Sequence, residues 1–128
     1  GRMRDSKLYV GGVGSAPSFR AKLEEVSARY DFDIDYSFRG SSSSDHSSFL
    51  GKKIPVLFFF SGLHSDYHKP SDTWEKINAD SATTLVSFVA EMASEVISAD
   101  SAPEFVAAAA PARNPHGEAA APAGGPAD

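Results

Sequence analysis

The order of periodic segments predicts an α/β fold, strand, helix, strand, strand, helix, with helices covering a sheet. Three observations carry this reading. "KLYVGGV" and "FDIDYSF" have strand composition, and the second alternates apolar and polar residues. "IPVLFFF" is a continuous apolar run rich in β-branched and aromatic residues. The segments after Pro17 and after Asn78 repeat apolar residues at helical spacing.

Taken in order, "KLYVGGV" is a strand ended by glycines. Ser15 and Pro17 start a helix, because proline in the first turn loses no needed N–H. Phe19, Leu23, Val26 and Tyr30 form its apolar face. In "FDIDYSF", Phe32, Ile34, Tyr36 and Phe38 share one face, while Asp33, Asp35 and Ser37 share a solvated one. "RGSSSSDHSSF" is a loop leading into a short helix from His46 to Leu50. "IPVLFFF", opened by Pro55, predicts a central strand buried on both faces. The last helix starts near Asn78 or Asp80, both good caps, with a stripe of Leu85, Val89, Met92 and Val96 widened by Val86 and Ala93.

Composition changes near Ser98. Residues 99–128 are rich in Ala, Pro and Gly, so they predict a flexible linker or tail, and His116 within it has no neighbouring ligand. Residues 1–98 are the folded part. The 128 residues suit one small domain, and a net charge of −5 without a basic stripe gives no sign of a nucleic-acid partner. With no cysteine there is no disulfide, thiolate zinc site or cysteine nucleophile. No apolar run approaches a membrane span, and the N-terminus lacks a signal peptide's apolar core. The missing initiator methionine suggests a chain cut from something longer, and a processed or tagged chain would look the same.

The densest group of metal ligands and proton carriers is "SGLHSDYHKPSDTWEKIN", Ser61 to Asn78. It follows the apolar strand, where open α/β sheets bind ligands in the crevice at the strands' carboxyl ends. His64 and His68 are four apart, but Gly62 and Pro70 argue against the helix that would align them. One histidine ligand from this loop is therefore more plausible than two, with an ordinary surface histidine as the alternative. Asp66 or Asp72 could hold its second nitrogen. "SDH" at Ser44 to His46 is a weak signal alone. Asp33 and Asp35 read as a solvated strand face rather than a catalytic pair.

The stretch "SSDHSSFLGKKIPVLFFFSGLHSDYHKPSDTWEKIN" resembles the C-terminal part of the catalytic domain of the co-catalytic dinuclear zinc aminopeptidases. Relatives of that family are glutamate carboxypeptidase II, the transferrin receptor ectodomain and the glutaminyl cyclases. The motifs that carry the resemblance are Ser-Asp-His, the Ile-Pro strand, Tyr-His-x-x-x-Asp-Thr and Lys-Ile-Asn. It is strong from Ser43 to Asn78 and weaker over Gly1 to Ala99. It implies the C-terminal portion of a three-layer α/β/α sandwich with a mixed sheet, and two zinc ions per complete catalytic domain. Of the family's ligands (two His, two Asp and one Glu), only the last His maps here, onto His68. Tyr67 matches the residue that hydrogen-bonds the oxyanion. Asp72 and Thr73 match the stretch supporting the last ligand, and Asp45 matches a position near the substrate amine or the metals. His64 takes a loop or rim role.

The chain departs from the family in lacking a suitable Glu-Glu pair. Glu24 and Glu25 are adjacent, but neighbours on a helix diverge, and both lie on its solvent side. The resemblance thus implies a fragment of a zinc-dependent aminopeptidase acting on peptide N-termini, inactive alone, whose other ligands and general base lie upstream. The alternatives are a non-catalytic binding relative, as in the transferrin receptor branch, and a glutaminyl cyclase-like enzyme with one zinc. Implied partners are a peptide substrate, the upstream half of the catalytic domain and a module after the tail. The implied compartment is periplasmic or extracellular.

Overall fold

The computed structural model describes Met3, residues 6–36 and residues 44–107. Its elements are strand β1 (Lys7–Gly11), helix α1 (Pro17–Ser27), strand β2 (Asp33–Asp35), short helix α2 (His46–Leu50), strand β3 (Phe58–Phe60) and helix α3 (Ala79–Ile97). One-turn 3₁₀ segments lie at Val13–Ser15 and Trp74–Lys76. The α/β expectation holds. The sheet is mixed, in the order β2-β1-β3. β1 pairs in parallel with β2, Leu8 opposite Ile34, and antiparallel with β3, Val10 opposite Phe59.

Alternation along β1 sets the layers. Leu8 and Val10 are fully buried and form one cluster with Leu23 and Val26 of α1 and Phe88 and Met92 of α3. Phe88 is its hub, touching the rings of Tyr30, Phe32 and Phe59 at 5.3, 5.4 and 5.8 Å between centroids. Tyr9, Phe58 and Phe60 alternate to the other face, where His46 of α2 stacks on Phe58 at 4.5 Å.

The helix starts follow their sequence signals in part. Pro17 opens α1, but Ser15 does not cap it: Ala16 is the N-cap, without a side-chain bond, and the Ser15 hydroxyl is held by Val56. The Asn78 side chain caps α3 by accepting the Ser81 N–H at 3.1 Å. Leu85, Val89, Met92 and Val96 face the core as the stripe predicts, but its centre is Phe88, and Val86 is 67% exposed. β2 is shorter than the alternating run that predicts it. Phe32, Ile34 and Tyr36 pack against the core, Asp33 pairs with Lys7 at 3.0 Å, and Ser37 and Phe38 lie outside the described residues.

The apolar run departs most from expectation. β1 holds the centre of the sheet, and β3 is a half-buried edge strand of three residues. The cause lies just before it. Pro55 has no N–H to donate. Val56 is bound by a side chain instead of a strand: Ser15 Oγ accepts its N–H at 2.9 Å and donates to its carbonyl at 3.0 Å. Ladder pairing therefore begins only at Phe58.

Residues 101–107 carry no regular secondary structure, and the Val106 N–H donates to the Ser15 carbonyl at 2.9 Å. The remainder of the expected tail, with His116, lies outside the described residues.

Candidate functional site

The segment after β3 begins with Gly62, whose φ of +93° suits glycine, and a Cβ there would lie 3.3 Å from the Tyr9 ring. The chain then continues in successive tight turns. The Tyr67 N–H donates to the His64 carbonyl at 3.0 Å, Lys69 N–H to Asp66 carbonyl at 2.9 Å, and Asp72 N–H to Lys69 carbonyl at 3.0 Å. His68 sits among these turns with φ +56°, a left-handed backbone. For a residue with a Cβ that conformation costs about 1 kcal/mol or more, so the surrounding contacts must hold it.

Two side-chain links close the loop. Asp66 accepts from Ser71 Oγ at 2.7 Å and from Lys76 Nζ at 3.3 Å, and Lys76 Nζ also reaches the Ser71 carbonyl at 2.7 Å. His64 Nε2 lies 3.7 Å from Asp72 Oδ2. The His64 side chain is only 15% exposed, and its Nδ1 is buried without a hydrogen-bond partner among the described residues.

Rings connect this loop to α2 across one face of the sheet. His46 stacks on Phe58, Phe58 lies 6.1 Å from Phe60, and Phe60 meets Tyr67 edge-on at 6.0 Å. Tyr67 in turn packs against His68 at 4.2 Å and His64 at 5.8 Å. The spacing of Phe58 and Phe60, two residues apart on a strand, puts both rings on the same side. Thus Ser-Asp-His and Tyr-His, more than twenty residues apart in sequence, meet on one aromatic platform.

Each residue singled out in the sequence has a definite place. Tyr67 is 41% exposed, and His68 is exposed beside it. Asp45 is exposed at the start of α2, next to the stacked His46, and makes no side-chain capping bond there. Asp72 faces His64. Glu24 and Glu25 are on the exposed face of α1, as expected, and Glu24 pairs with Arg20. His64, expected at the rim, is more enclosed than Tyr67. Its only sequence signal is its place between Gly62 and the Tyr-His pair.

Among the described residues, no group of three or more His, Asp or Glu converges where it could hold a metal ion. A catalytic zinc site takes about three protein ligands, so these side chains alone do not fit one. His68 can supply a single imidazole to a larger ligand set.

The chain matches the family model for Peptidase family M28 over residues 1–93. No curated protein and no solved structure matches it significantly.

Proposed function

Because the chain belongs to peptidase family M28, we propose that it is the C-terminal portion of the catalytic domain of a zinc aminopeptidase, with His68 as one zinc ligand. The family is one of peptidases and is generally zinc-dependent. The observation that carries the finer reading is the platform of Phe58 and Phe60, which joins the Ser-Asp-His and Tyr-His stretches on one face. Those stretches are the ones that resemble the aminopeptidases.

The other ligands and the general base are proposed to come from polypeptide outside these 128 residues. Two zinc ions in the complete domain would supply an activated water and a polarised substrate carbonyl. The roles of this chain's own residues are narrower. His68 presents its ring at the loop surface, beside Tyr67. The Tyr67 hydroxyl donates a hydrogen bond to the carbonyl oxygen as negative charge develops on it. Asp45 is assigned by the resemblance to a position near the substrate amine or the metals, and Asp72 steadies the loop through its approach to His64.

The proposed partners are a peptide, read from its N-terminus, and the upstream half of the domain. An apolar groove between β3 and α3, lined by Phe19, Leu57, Phe59, Val89, Val96 and Ile97, supports the second. A module after the tail and a periplasmic or extracellular setting rest on the resemblance alone. No described helix is long and apolar enough to cross a membrane.

Tyr67→Phe in the assembled enzyme tests the assignment of the hydroxyl. Losing one oxyanion donor lowers kcat for an aminoacyl anilide by about 100-fold and leaves KM within a few-fold. Unchanged kcat removes Tyr67 from the chemistry.

A further inference from the structure

We propose that His64 is a positioning residue: wedged between Asp72 and the Tyr67 ring, it sets the backbone and ring orientation of His68 before any metal arrives. The inference rests on the reading of His68 as a ligand only for its functional meaning. The geometry it concerns exists in the chain alone.

His68 holds a left-handed backbone that its Cβ disfavours, at φ +56°. A ring on a freely moving loop would relax from it. Two contacts oppose that relaxation from opposite ends of the loop. On the near side, the Tyr67 N–H is tied to the His64 carbonyl, and the His64 ring meets the Tyr67 ring edge-on at 5.8 Å. On the far side, Asp72 approaches His64 Nε2 at 3.7 Å. His64 therefore touches the residue just before His68 and the carboxylate that follows it. The Asp66, Ser71 and Lys76 link closes the same loop by a separate route.

Burial separates His64 from its neighbour. A histidine kept for solubility or for binding would expose its ring, as His68 does. The His64 side chain is 15% exposed instead, and it is the enclosed member of the pair. A ligand needs an accessible ring, whereas a brace needs packed sides and a polar contact at its tip.

The test uses NMR on the full 128-residue chain without metal. The readouts are the backbone coupling and Cα shift of His68, and the ring-current shift that Tyr67 imposes on the His68 imidazole. His64→Ala is expected to abolish the left-handed signature and the ring-current shift. It should also speed exchange of the Tyr67, Lys69 and Asp72 amides roughly tenfold, with α3 amides unaffected. His64→Gln, which keeps bulk beside the Tyr67 ring and a polar amide facing Asp72, is expected to restore most of both signatures.

An unchanged His68 signature in His64→Ala overturns the proposal, and so does equal loss in the Ala and Gln variants. If His64→Ala does not fold, Asp72→Asn provides the second arm. It keeps the shape but weakens the contact, and an unperturbed His68 there also overturns the proposal. Because no metal enters the experiment, its failure leaves the zinc reading standing, and loss of the zinc reading leaves the brace measurable.

Discussion

Ser15 Oγ bridges both polar groups of Val56, accepting the N–H at 2.9 Å and donating to the carbonyl at 3.0 Å. Ser15 is 3% exposed, so water cannot replace these bonds. Ser15→Ala leaves a buried N–H and C=O without partners and is expected to cost about 3 kcal/mol. Urea unfolding should show a lower midpoint with an unchanged slope. A loss within experimental error would mean that Val56 finds other partners.

Gly12 completes that clasp from the backbone side. Its φ is +77°, and a Cβ there would lie 2.3 Å from the Val56 carbonyl oxygen. Gly12→Ala therefore combines left-handed strain with a backbone clash and should cost more than about 2 kcal/mol. Gly14, with nothing within 4 Å of its Cβ position, is the control. Gly14→Ala should change stability by no more than about 1 kcal/mol, in the stabilising direction if its backbone suits alanine. Similar losses at the two positions would contradict the clasp.

The acid limb of stability should depend on Glu91. The Tyr30 hydroxyl donates to Glu91 Oε2 at 2.8 Å, and Arg29 pairs with the other oxygen. The Tyr30 hydrogen bond first, and Arg29 second, hold this carboxyl below its ordinary value. A depressed folded-state pKa contributes stability above the unfolded value and loses it as pH falls through the folded one. Stability should therefore decline as pH drops below about 4.3, where an unfolded glutamate takes up its proton. Glu91→Gln should flatten that decline, measured as urea midpoints across the acid range. An equally steep decline in the variant would assign the effect to other carboxylates.

The sequence made the helices plain because their signals are local. Pro17 and Asn78 mark starts within one turn, and the apolar stripes of α1 and α3 follow from spacing. Phe88 escaped the stripe because periodicity alone cannot say which neighbouring row points at the centre of the core. The strand pairing was less legible. A run like "IPVLFFF" reads as central, yet a serine forty-one residues earlier takes the hydrogen bonds of Val56. Such a contact has no local signature.

The site divides in the same way. Tyr67, His68 and Asp45 are candidates by motif resemblance alone, and their motifs meet on Phe58 and Phe60. The left-handed backbone of His68 has no local signature, since histidine is enriched there but positive φ stays uncommon in any residue with a Cβ, whereas Gly62 announced its own turn. The enclosure of His64 depends on Asp72 folding back across the loop, which spacing does not reveal.

The central claim is that His68 contributes a zinc-binding imidazole to a peptidase completed by other polypeptide. The most direct measurement is zinc content by metal analysis of the assembled enzyme carrying His68→Ala, compared with wild type after identical dialysis. The account predicts that the variant loses at least one zinc per domain and nearly all aminopeptidase turnover while its unfolding midpoint in metal-free buffer is unchanged. Full zinc content together with wild-type turnover would contradict it.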